Sequence, residues 1–146
     1  MKQFVMAAAI FFAAVYASAA PTAPKITPEV LKAFKTEFKE AGNVQWSVKN
    51  DLYIATFEFN SQTVSALFTE DGQLEVMQRV INKDQLLIPA SNTVQELGKT
   101  AAVTAIAEVW QNQEFFYLVK TETANHITTY KVFTDGSTLR IQKKKK

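Results

Sequence analysis

Few side chains in this sequence are chemically reactive, and their spacing matches no familiar active site. The chain has one histidine and no cysteine, which excludes the usual zinc clusters and a cysteine nucleophile. His126 could act as a general base, but it follows Asn125 at the start of a predicted strand, without a serine and aspartate nearby. We therefore interpret His126 as a solvent-side residue.

Two aspartates could in principle work as an acid/base pair. Asp71 and Asp135 are each followed by glycine, and two carboxylates about 5–10 Å apart in a cleft would suit a small hydrolase. The Asp-Gly dipeptide is also a strong hairpin-turn signal, and we favour that interpretation for both residues. Glu70, Asp71 and Glu75 could hold calcium weakly, but a full calcium loop needs more oxygen ligands. The sequence thus predicts no catalytic residue, cofactor-binding residue or metal ligand, and a protein that is not an enzyme.

The N-terminal segment has the pattern of a secretory signal. Lys2 precedes an apolar run at residues 4–17, and residues 17–19 (Ala-Ser-Ala) form a small-residue cleavage site. A retained membrane anchor is the alternative, but the run is shorter than the ~20 residues of a bilayer span. We predict a signal peptide at 1–19, an extended leader at 20–26, and a periplasmic or secreted mature protein without a membrane span.

The positive charge of the chain is concentrated at its C-terminus. Removing Lys2 and the four lysines of Lys143–Lys146 from the 16 basic residues leaves 11 against 14 acidic residues. The body adds no basic patch, so we expect no binding to nucleic acid. We interpret residues 143–146 as a solvated basic tail on an edge strand, disordered beyond about Lys144. Contact with an anionic surface is the alternative role for this tail.

A helix and four strands are predicted for the first half of the chain. Thr27 is a suitable N-cap, Pro28 suits the first helical position, and Gly42 is expected to end the helix as a left-handed cap. The apolar period is 3.6 in the helix and changes to two from Asn43. The expected strands begin at Val44 and cover 52–60, 63–69 and 74–80. Asp71-Gly72 is expected to form a type I′ turn between the last two.

The second half repeats this order. A helix is predicted at 89–97 with Gly98 as its cap, and strands are predicted from about Thr104 to Trp110 and at 114–123, 126–134 and 138–142. Trp46 and Trp110 are 64 residues apart, as are Tyr53/Tyr117 and the two Asp-Gly turns. This spacing indicates an internal duplication. We predict one α+β domain at 27–142, a tandem repeat of a helix plus a four-stranded antiparallel sheet, with repeats at 27–81 and 88–142.

These features resemble a known family. The matching pieces are Phe34 and Phe38 on the first helix, Val44-x-Trp46, Leu67-Phe68 before Asp71-Gly72, Ile88-Pro89, Tyr117, and Phe133 before Asp135-Gly136. They are similar to the PepSY-like, β-lactamase-inhibitor-like proteins of bacterial periplasms. The resemblance implies a tandem α+β fold whose sheet presents a curved face to another protein. It implies no catalytic residues.

The aromatic residues divide between a core and a candidate binding surface. The predicted core aromatics are Phe34, Phe38, Trp46, Phe57 and Phe68. One helix per unit leaves one sheet face uncovered, and Tyr53, Phe116 and Tyr130 are our candidates for partner binding on an exposed face. We expect a monomeric, non-catalytic, inhibitor-like binding module that docks an unknown protein partner on an exposed sheet face. The alternative is a small-molecule or peptide carrier with a pocket between helix and sheet.

Overall fold

The computed structural model describes residues 24–146, which divide into two compact units, 24–79 and 80–146. The predicted signal peptide lies outside the described residues. Each unit has one helix and four antiparallel strands, which confirms the predicted α+β repeat. The first contains α1 (Pro28–Glu37), β1 (Gly42–Lys49), β2 (Leu52–Phe59), β3 (Gln62–Phe68) and β4 (Leu74–Val80). The second contains a short 3-10 helix (Lys83–Gln85), α2 (Ile88–Gly98), β5 (Ala102–Gln111), β6 (Glu114–Glu122), β7 (His126–Phe133) and β8 (Thr138–Lys145).

Helix α1 begins as predicted but ends earlier. The Thr27 hydroxyl accepts a hydrogen bond from the Val30 amide at 3.3 Å, and Pro28 occupies the first turn. The helix ends at Glu37. The predicted left-handed cap at Gly42 is wrong, because Gly42 begins β1 and the residue with positive φ is Asn43, at 50°.

The core of the first unit lies between α1 and one face of its strands. Val30, Phe34 and Phe38 from the helix pack against Ala55 and Phe57 of β2. Ala66 and Phe68 of β3 and the partly buried Trp46 of β1 complete this cluster. Phe34 is its centre, with ring centroids 5.0 Å from Phe57 and 5.2 Å from Trp46 in edge-on geometry. The five predicted core aromatics are therefore confirmed in this cluster.

The second unit builds its core in the same way with fewer aromatic rings. Ala90 and Val94 of α2 pack against Ile106, Tyr117, Val119 and Val132. The Tyr117 hydroxyl accepts a hydrogen bond from the Leu87 amide at 3.4 Å, so the chain entering α2 is tied to β6. Smaller residues on α2 explain why its sequence signal is weaker than that of α1.

The Asp-Gly turns are hairpin turns of a different type from the one predicted. Only the glycines have positive φ, 83° at Gly72 and 88° at Gly136. In the first turn the Gly72 amide bonds to the Thr69 carbonyl, and the Thr69 amide bonds to the Gln73 carbonyl. This is a type I turn followed by a left-handed glycine, not type I′. Positive φ at both central residues, the type I′ pattern, occurs at Asn50-Asp51, Asn60-Ser61 and Asn112-Gln113.

Each Asp-Gly turn docks on the first turn of the helix in its own unit. The Thr27 hydroxyl donates to the Glu70 carbonyl at 3.0 Å, and the Thr93 hydroxyl donates to the Gly136 carbonyl at 2.6 Å. A Cβ atom at Gly72 would lie 2.8 Å from the Glu29 carbonyl oxygen. These contacts require glycine for its size as well as for its φ.

The two tryptophans do not occupy equivalent positions. Trp46 pairs with Ala55 in mid-strand, whereas Trp110 pairs with Phe115 beside the turn that joins β5 to β6. The residue of the second unit that packs like Trp46 is Ile106. Tyr53 and Tyr117 do correspond, since Tyr53 pairs with Phe68 and Tyr117 with Val132. The duplication is present, but the spacing of the tryptophans is not evidence for it.

The last strand is longer than predicted. β8 continues through Lys145, which pairs with His126, and the Lys146 amide bonds to the Asn125 carbonyl at 2.9 Å. The predicted strand end at Gln142, with disorder beyond about Lys144, is therefore wrong. β7 offers backbone partners to these lysines, and Glu122 offers Lys146 a carboxylate at 3.0 Å. Backbone pairing and this ion pair offset the repulsion between adjacent lysines.

Candidate functional site

Strand pairing divides the side chains of the first unit between two faces. Ala55 pairs with Ala66, and both lie in the cluster packed against α1. Ile54 pairs with Leu67, and Leu67 with Val76, so these three residues share the opposite face. Ile54 is 9% exposed, and Leu67 and Val76 are fully buried. The first unit therefore has a second apolar layer that its own helix does not cover.

Gln78 of β4 places a polar group in this second layer. It pairs with Ser65, whose hydroxyl is already within 3.2 Å of the Thr56 hydroxyl. Gln78 is 6% exposed, and its buried Oε1 has no hydrogen-bond donor among residues 24–146. An unpaired buried acceptor costs about 1–3 kcal/mol. A donor that reached Gln78 from the partly exposed side at Thr56 and Ser65 would remove this cost.

We call Ile54, Leu67, Val76 and Gln78 the far face of the first unit. The sequence analysis missed this set, because β2 carries apolar residues at both alternation phases. The sequence did contain a pattern that singles out Gln78. Gln78 shares its alternation phase in β4 with Val76 and Val80, so a polar residue interrupts a row of apolar ones. Such an interruption is typical of a binding surface or of a buried hydrogen bond.

The second unit also has apolar residues opposite its helix. Val109 pairs with Phe116, and Phe116 with Phe133. The Lys131 ammonium lies 4.0 Å from the centre of the Phe116 ring and 4.9 Å from that of Phe133. It also forms an ion pair with Glu114 at 2.5 Å. Phe116 is thus enclosed by Lys131, through a cation–π contact, and by its strand neighbours.

The three predicted partner-binding residues do not form one exposed face. Tyr53 packs at the margin of the α1 cluster, and Tyr130 packs at the margin of the α2 cluster. Phe116 lies on the side of the strands away from α2 but is only 2% exposed. The expectation that these side chains lie on an exposed sheet face is wrong, because both tyrosines share their side with a helix. Their role in partner binding stays a prediction.

Both turn aspartates are used by their own turns. Asp71 accepts hydrogen bonds from the Thr69 hydroxyl and from Gln73 Nε2, the latter at 2.9 Å. Asp135 accepts from the Ser137 hydroxyl at 2.7 Å and from the Ser137 amide at 2.8 Å. The Thr69 hydroxyl lowers the pKa of Asp71, and the Ser137 hydroxyl lowers that of Asp135. Both carboxyl groups are thereby held as anions that accept local hydrogen bonds, as the turn interpretation predicts.

An open groove lies between α1 and β1 in the first unit. Its volume is about 410 Å³, and its lining includes the aromatic rings of Phe34, Phe38 and Trp46. Ligand sites in proteins are commonly concave, apolar and of about 300–1,000 Å³. The groove lies where the carrier interpretation places a pocket, between helix and sheet.

Within residues 24–146 no group of three or more His, Asp or Glu side chains is arranged to hold a metal ion. Within the same range no helix is both long and apolar enough to cross a bilayer. His126 is half-buried at the start of β7, where its backbone amide donates to the Thr123 hydroxyl at 3.1 Å.

Comparison of the sequence with known families and curated proteins gives no match. No protein-family model matches the chain. No curated protein matches it at a significant level. The similarity to known proteins therefore lies in the three-dimensional fold.

Several solved structures from Bacteroides share this fold. A candidate periplasmic protein from Bacteroides eggerthii DSM 20697 has a TM-score of 0.74 at 15% identity, covering 84% of this chain and 90% of its own. A DUF2874 family protein from Bacteroides ovatus ATCC 8483 has a TM-score of 0.74 at 19% identity, with 84% and 89% covered. A BLIP-like protein from Bacteroides fragilis NCTC 9343 has a TM-score of 0.73 at 14% identity, with 84% and 87% covered. At these identities the comparison shows the fold alone, and the chain has the BLIP-like α+β fold.

Proposed function

We propose that this protein is a periplasmic or secreted, non-catalytic binding module that docks a protein partner at Thr56 and Ser65, the partly exposed residues beside the far face of its first unit. An inhibitor-like role toward an enzyme is one form that such docking would take. The fold alone does not determine which partner is bound, because one fold hosts many functions. The proposal rests on the chemistry of this face.

The observation that carries the proposal is Gln78. Its Oε1 is a buried acceptor without a donor from the described residues. It shares its face with the apolar Leu67 and Val76 and with the partly exposed Thr56 and Ser65. Buried polar groups in folded proteins are nearly always hydrogen-bonded. Apolar surface around one polar group that sets orientation is the usual composition of an interface centre. A partner that brings apolar side chains and one donor would satisfy both features.

Two further observations support a binding role outside the cytoplasm: the hydrogen bonds of the two turn aspartates, and the similarity of the fold to that of a candidate periplasmic protein. Asp71 and Asp135 are engaged in turn hydrogen bonds, which favours structural roles for the two residues best suited to acid/base chemistry. The predicted signal peptide and the candidate periplasmic relative support a location outside the cytoplasm. We propose the mature chain, beginning at residue 20, as the active form.

Site-specific photo-crosslinking tests the docking surface directly. A photoreactive phenylalanine derivative is placed at Thr56, which shares the far face with Ser65 and Gln78 through strand pairing. The matched control places it at Thr36, an exposed threonine on α1. Mature protein with either change is irradiated in envelope extract, and cross-linked proteins are identified by mass spectrometry.

We expect a discrete protein adduct from Thr56 and none from Thr36. The affinity for the partner, measured by titrating the yield of the Thr56 adduct, should fall by about tenfold when Gln78 is changed to Met, because one buried hydrogen bond is lost. If adducts formed from Thr36 alone, the docking surface would lie on the side of the first unit that carries α1. The absence of any protein adduct from Thr56 would contradict the proposal.

A further inference from the structure

The α1–β1 groove of the first unit combines an aromatic floor with an open mouth. Phe34 and Phe38 are 6% and 9% exposed, and the half-buried Trp46 lies beside them, with its ring centre 5.2 Å from that of Phe34. Leu31 and Val44 form the apolar walls. The groove of about 410 Å³ can hold the apolar part of a small ligand. Its open side leaves one end of such a ligand in water.

Lysines line this open side, while the acidic residues of the helix lie elsewhere. Lys35 and Lys39 belong to the groove lining, and Lys32 lies beside them on the exposed helix surface. At 100° per residue, Glu37 projects about 160° and Glu29 about 120° away from Lys35, while Glu29 lies on the side of Lys32 that is farther from the groove. No carboxylate of residues 24–146 forms an ion pair with Lys32, Lys35 or Lys39. The mouth of the groove is therefore a cationic rim without an internal counter-ion.

The second unit provides an internal comparison, because Val30 of α1 corresponds to Ala90 of α2. Both residues are fully buried, and each follows the residue whose carbonyl contacts an Asp-Gly turn. The α2 residues equivalent to Lys35 and Lys39 are then Gln95 and Lys99, and Lys99 is ion-paired with Glu96. The depression along α2 has about 280 Å³ and no aromatic side chain in its lining. Aromatic floor and lysine rim thus occur together only in the first of these two grooves.

We infer that the α1–β1 groove binds a small amphiphilic anion. The apolar body of the ligand lies on Phe34, Phe38 and Trp46, and its carboxylate, sulfonate or phosphate head lies at Lys35 and Lys39. Burial of apolar area supplies the affinity, and the lysine rim selects for a negatively charged head. This activity is separate from docking at the far face, which belongs to β2, β3 and β4 on the side away from α1.

The test uses two fluorescent probes of similar apolar body and different charge. 1-Anilinonaphthalene-8-sulfonate carries a sulfonate, and N-phenyl-1-naphthylamine carries no charge. Both are titrated into mature protein with Trp110→Phe, so that Trp46 emission reports on the groove. Competition with decanoate, below its micelle concentration, then tests a carboxylate head on an alkyl chain.

We expect saturable binding of the sulfonate probe with one site, a change in Trp46 emission, and displacement by decanoate. The double variant Lys35→Gln/Lys39→Gln should weaken sulfonate binding by about tenfold, as two exposed charge contacts would, and weaken the neutral probe less than about twofold. The control Lys143→Gln/Lys144→Gln makes the same change of net charge on β8 and should leave both affinities unchanged. Circular dichroism and unfolding temperature verify that each variant is folded.

Three results would overturn the inference. Equal weakening by the β8 control would show that net charge, not the groove, attracts the probe. Probe fluorescence without a change in Trp46 emission would place binding elsewhere. A Trp46 change with phosphatidylglycerol vesicles, but not with free decanoate, would show that a membrane surface rather than a small amphiphile is the ligand.

Discussion

At the residue scale, Gln78 shows how one side chain can lower stability while favouring a binding surface. Its amide is buried in an apolar layer, and its Oε1 lacks a donor within residues 24–146. Folding alone would favour an apolar residue of the same size at this position. An amide kept there is therefore consistent with selection for binding, as natural proteins give up some stability at functional sites.

Replacing Gln78 by Met should leave the fold intact and raise the free energy of unfolding by about 1 kcal/mol, because it removes an unsatisfied buried polar group without changing volume greatly. Urea unfolding at constant slope measures the change. Gln45→Met at an exposed position of β1 is the matched control and should stay within about 0.5 kcal/mol. A clear loss of stability for Gln78→Met would show that the amide has a partner in the folded chain.

The lowered pKa of Asp135 predicts a specific pH dependence. The Ser137 hydroxyl and amide hold this pKa below its ordinary value of 3.8. A carboxyl group with a lowered pKa stabilises the folded state above the ordinary value, and this contribution is lost as pH falls through the lowered pKa. Asp135→Asn should therefore be less stable than the parent near pH 7, with the difference shrinking toward acid.

Unfolding by urea between pH 7 and pH 2 measures this difference. Ser137→Ala is the control, because loss of its hydroxyl should move the pKa of Asp135 toward 3.8, which carboxyl-carbon NMR titration reads directly. A stability difference between Asp135→Asn and its parent that stays constant over the whole range would contradict the assignment.

At the element scale, each helix is positioned by a hairpin turn that docks on its first turn. Gly72 combines a φ of 83° with a carbonyl oxygen 2.8 Å from the place of a Cβ. Gly72→Ala should destabilise the protein by about 1–3 kcal/mol, since strain at positive φ adds to a backbone clash. Thermal unfolding measures the loss.

Gly42→Ala is the control for this prediction, because no atom lies within 4 Å of its Cβ position and its φ is not positive. It should change stability by less than about 0.5 kcal/mol. Gly136→Ala should behave like Gly72→Ala, since the Pro89 carbonyl oxygen lies 2.8 Å from its Cβ position. Equal, small effects at all three glycines would contradict the docking described for both turns.

The C-terminal end of β8 should contribute to stability. Removing Lys145 and Lys146 deletes the pairing with His126 and the ion pair with Glu122. We expect the unfolding temperature to fall by about 2–4 °C, near the effect of somewhat under 1 kcal/mol in a domain of this size. Lys145→Gln/Lys146→Gln keeps the backbone pairing and should lose less. An unchanged unfolding temperature after deletion would restore the interpretation of a dispensable tail.

At the scale of the whole molecule, the proposed location depends on processing of the N-terminus. Protein released from the envelope by osmotic shock should begin at residue 20, because residues 17–19 carry the predicted cleavage site. Intact-mass measurement distinguishes this product from the full 146-residue chain. Ala17→Leu/Ala19→Leu should block cleavage and keep the protein in the membrane fraction. Recovery of full-length protein in the soluble shock fluid would contradict the predicted signal.

The sequence by itself determined the kind of structure. Thr27-Pro28 predicted the start of α1, and the change of apolar period at Asn43 predicted the strands. Both signals can be read locally, because capping and periodicity depend on residues close in sequence. The Asp-Gly pairs marked two hairpins correctly. The short apolar segment of α2, which packs smaller residues, was still recognised from Pro89 and Gly98 to within about one residue at each end.

Only the tertiary structure decided which side of each strand meets a helix. β2 is apolar at both phases, so pairing of Ala55 with Ala66 under α1, and of Ile54 with Leu67 away from it, could not be read locally. The same nonlocal pairing put Tyr53 on the helix side, left Gln78 without a donor from residues 24–146, and extended β8 through its lysines. Strand faces and strand ends depend on partners distant in sequence, and those partners are set only when the chain has folded.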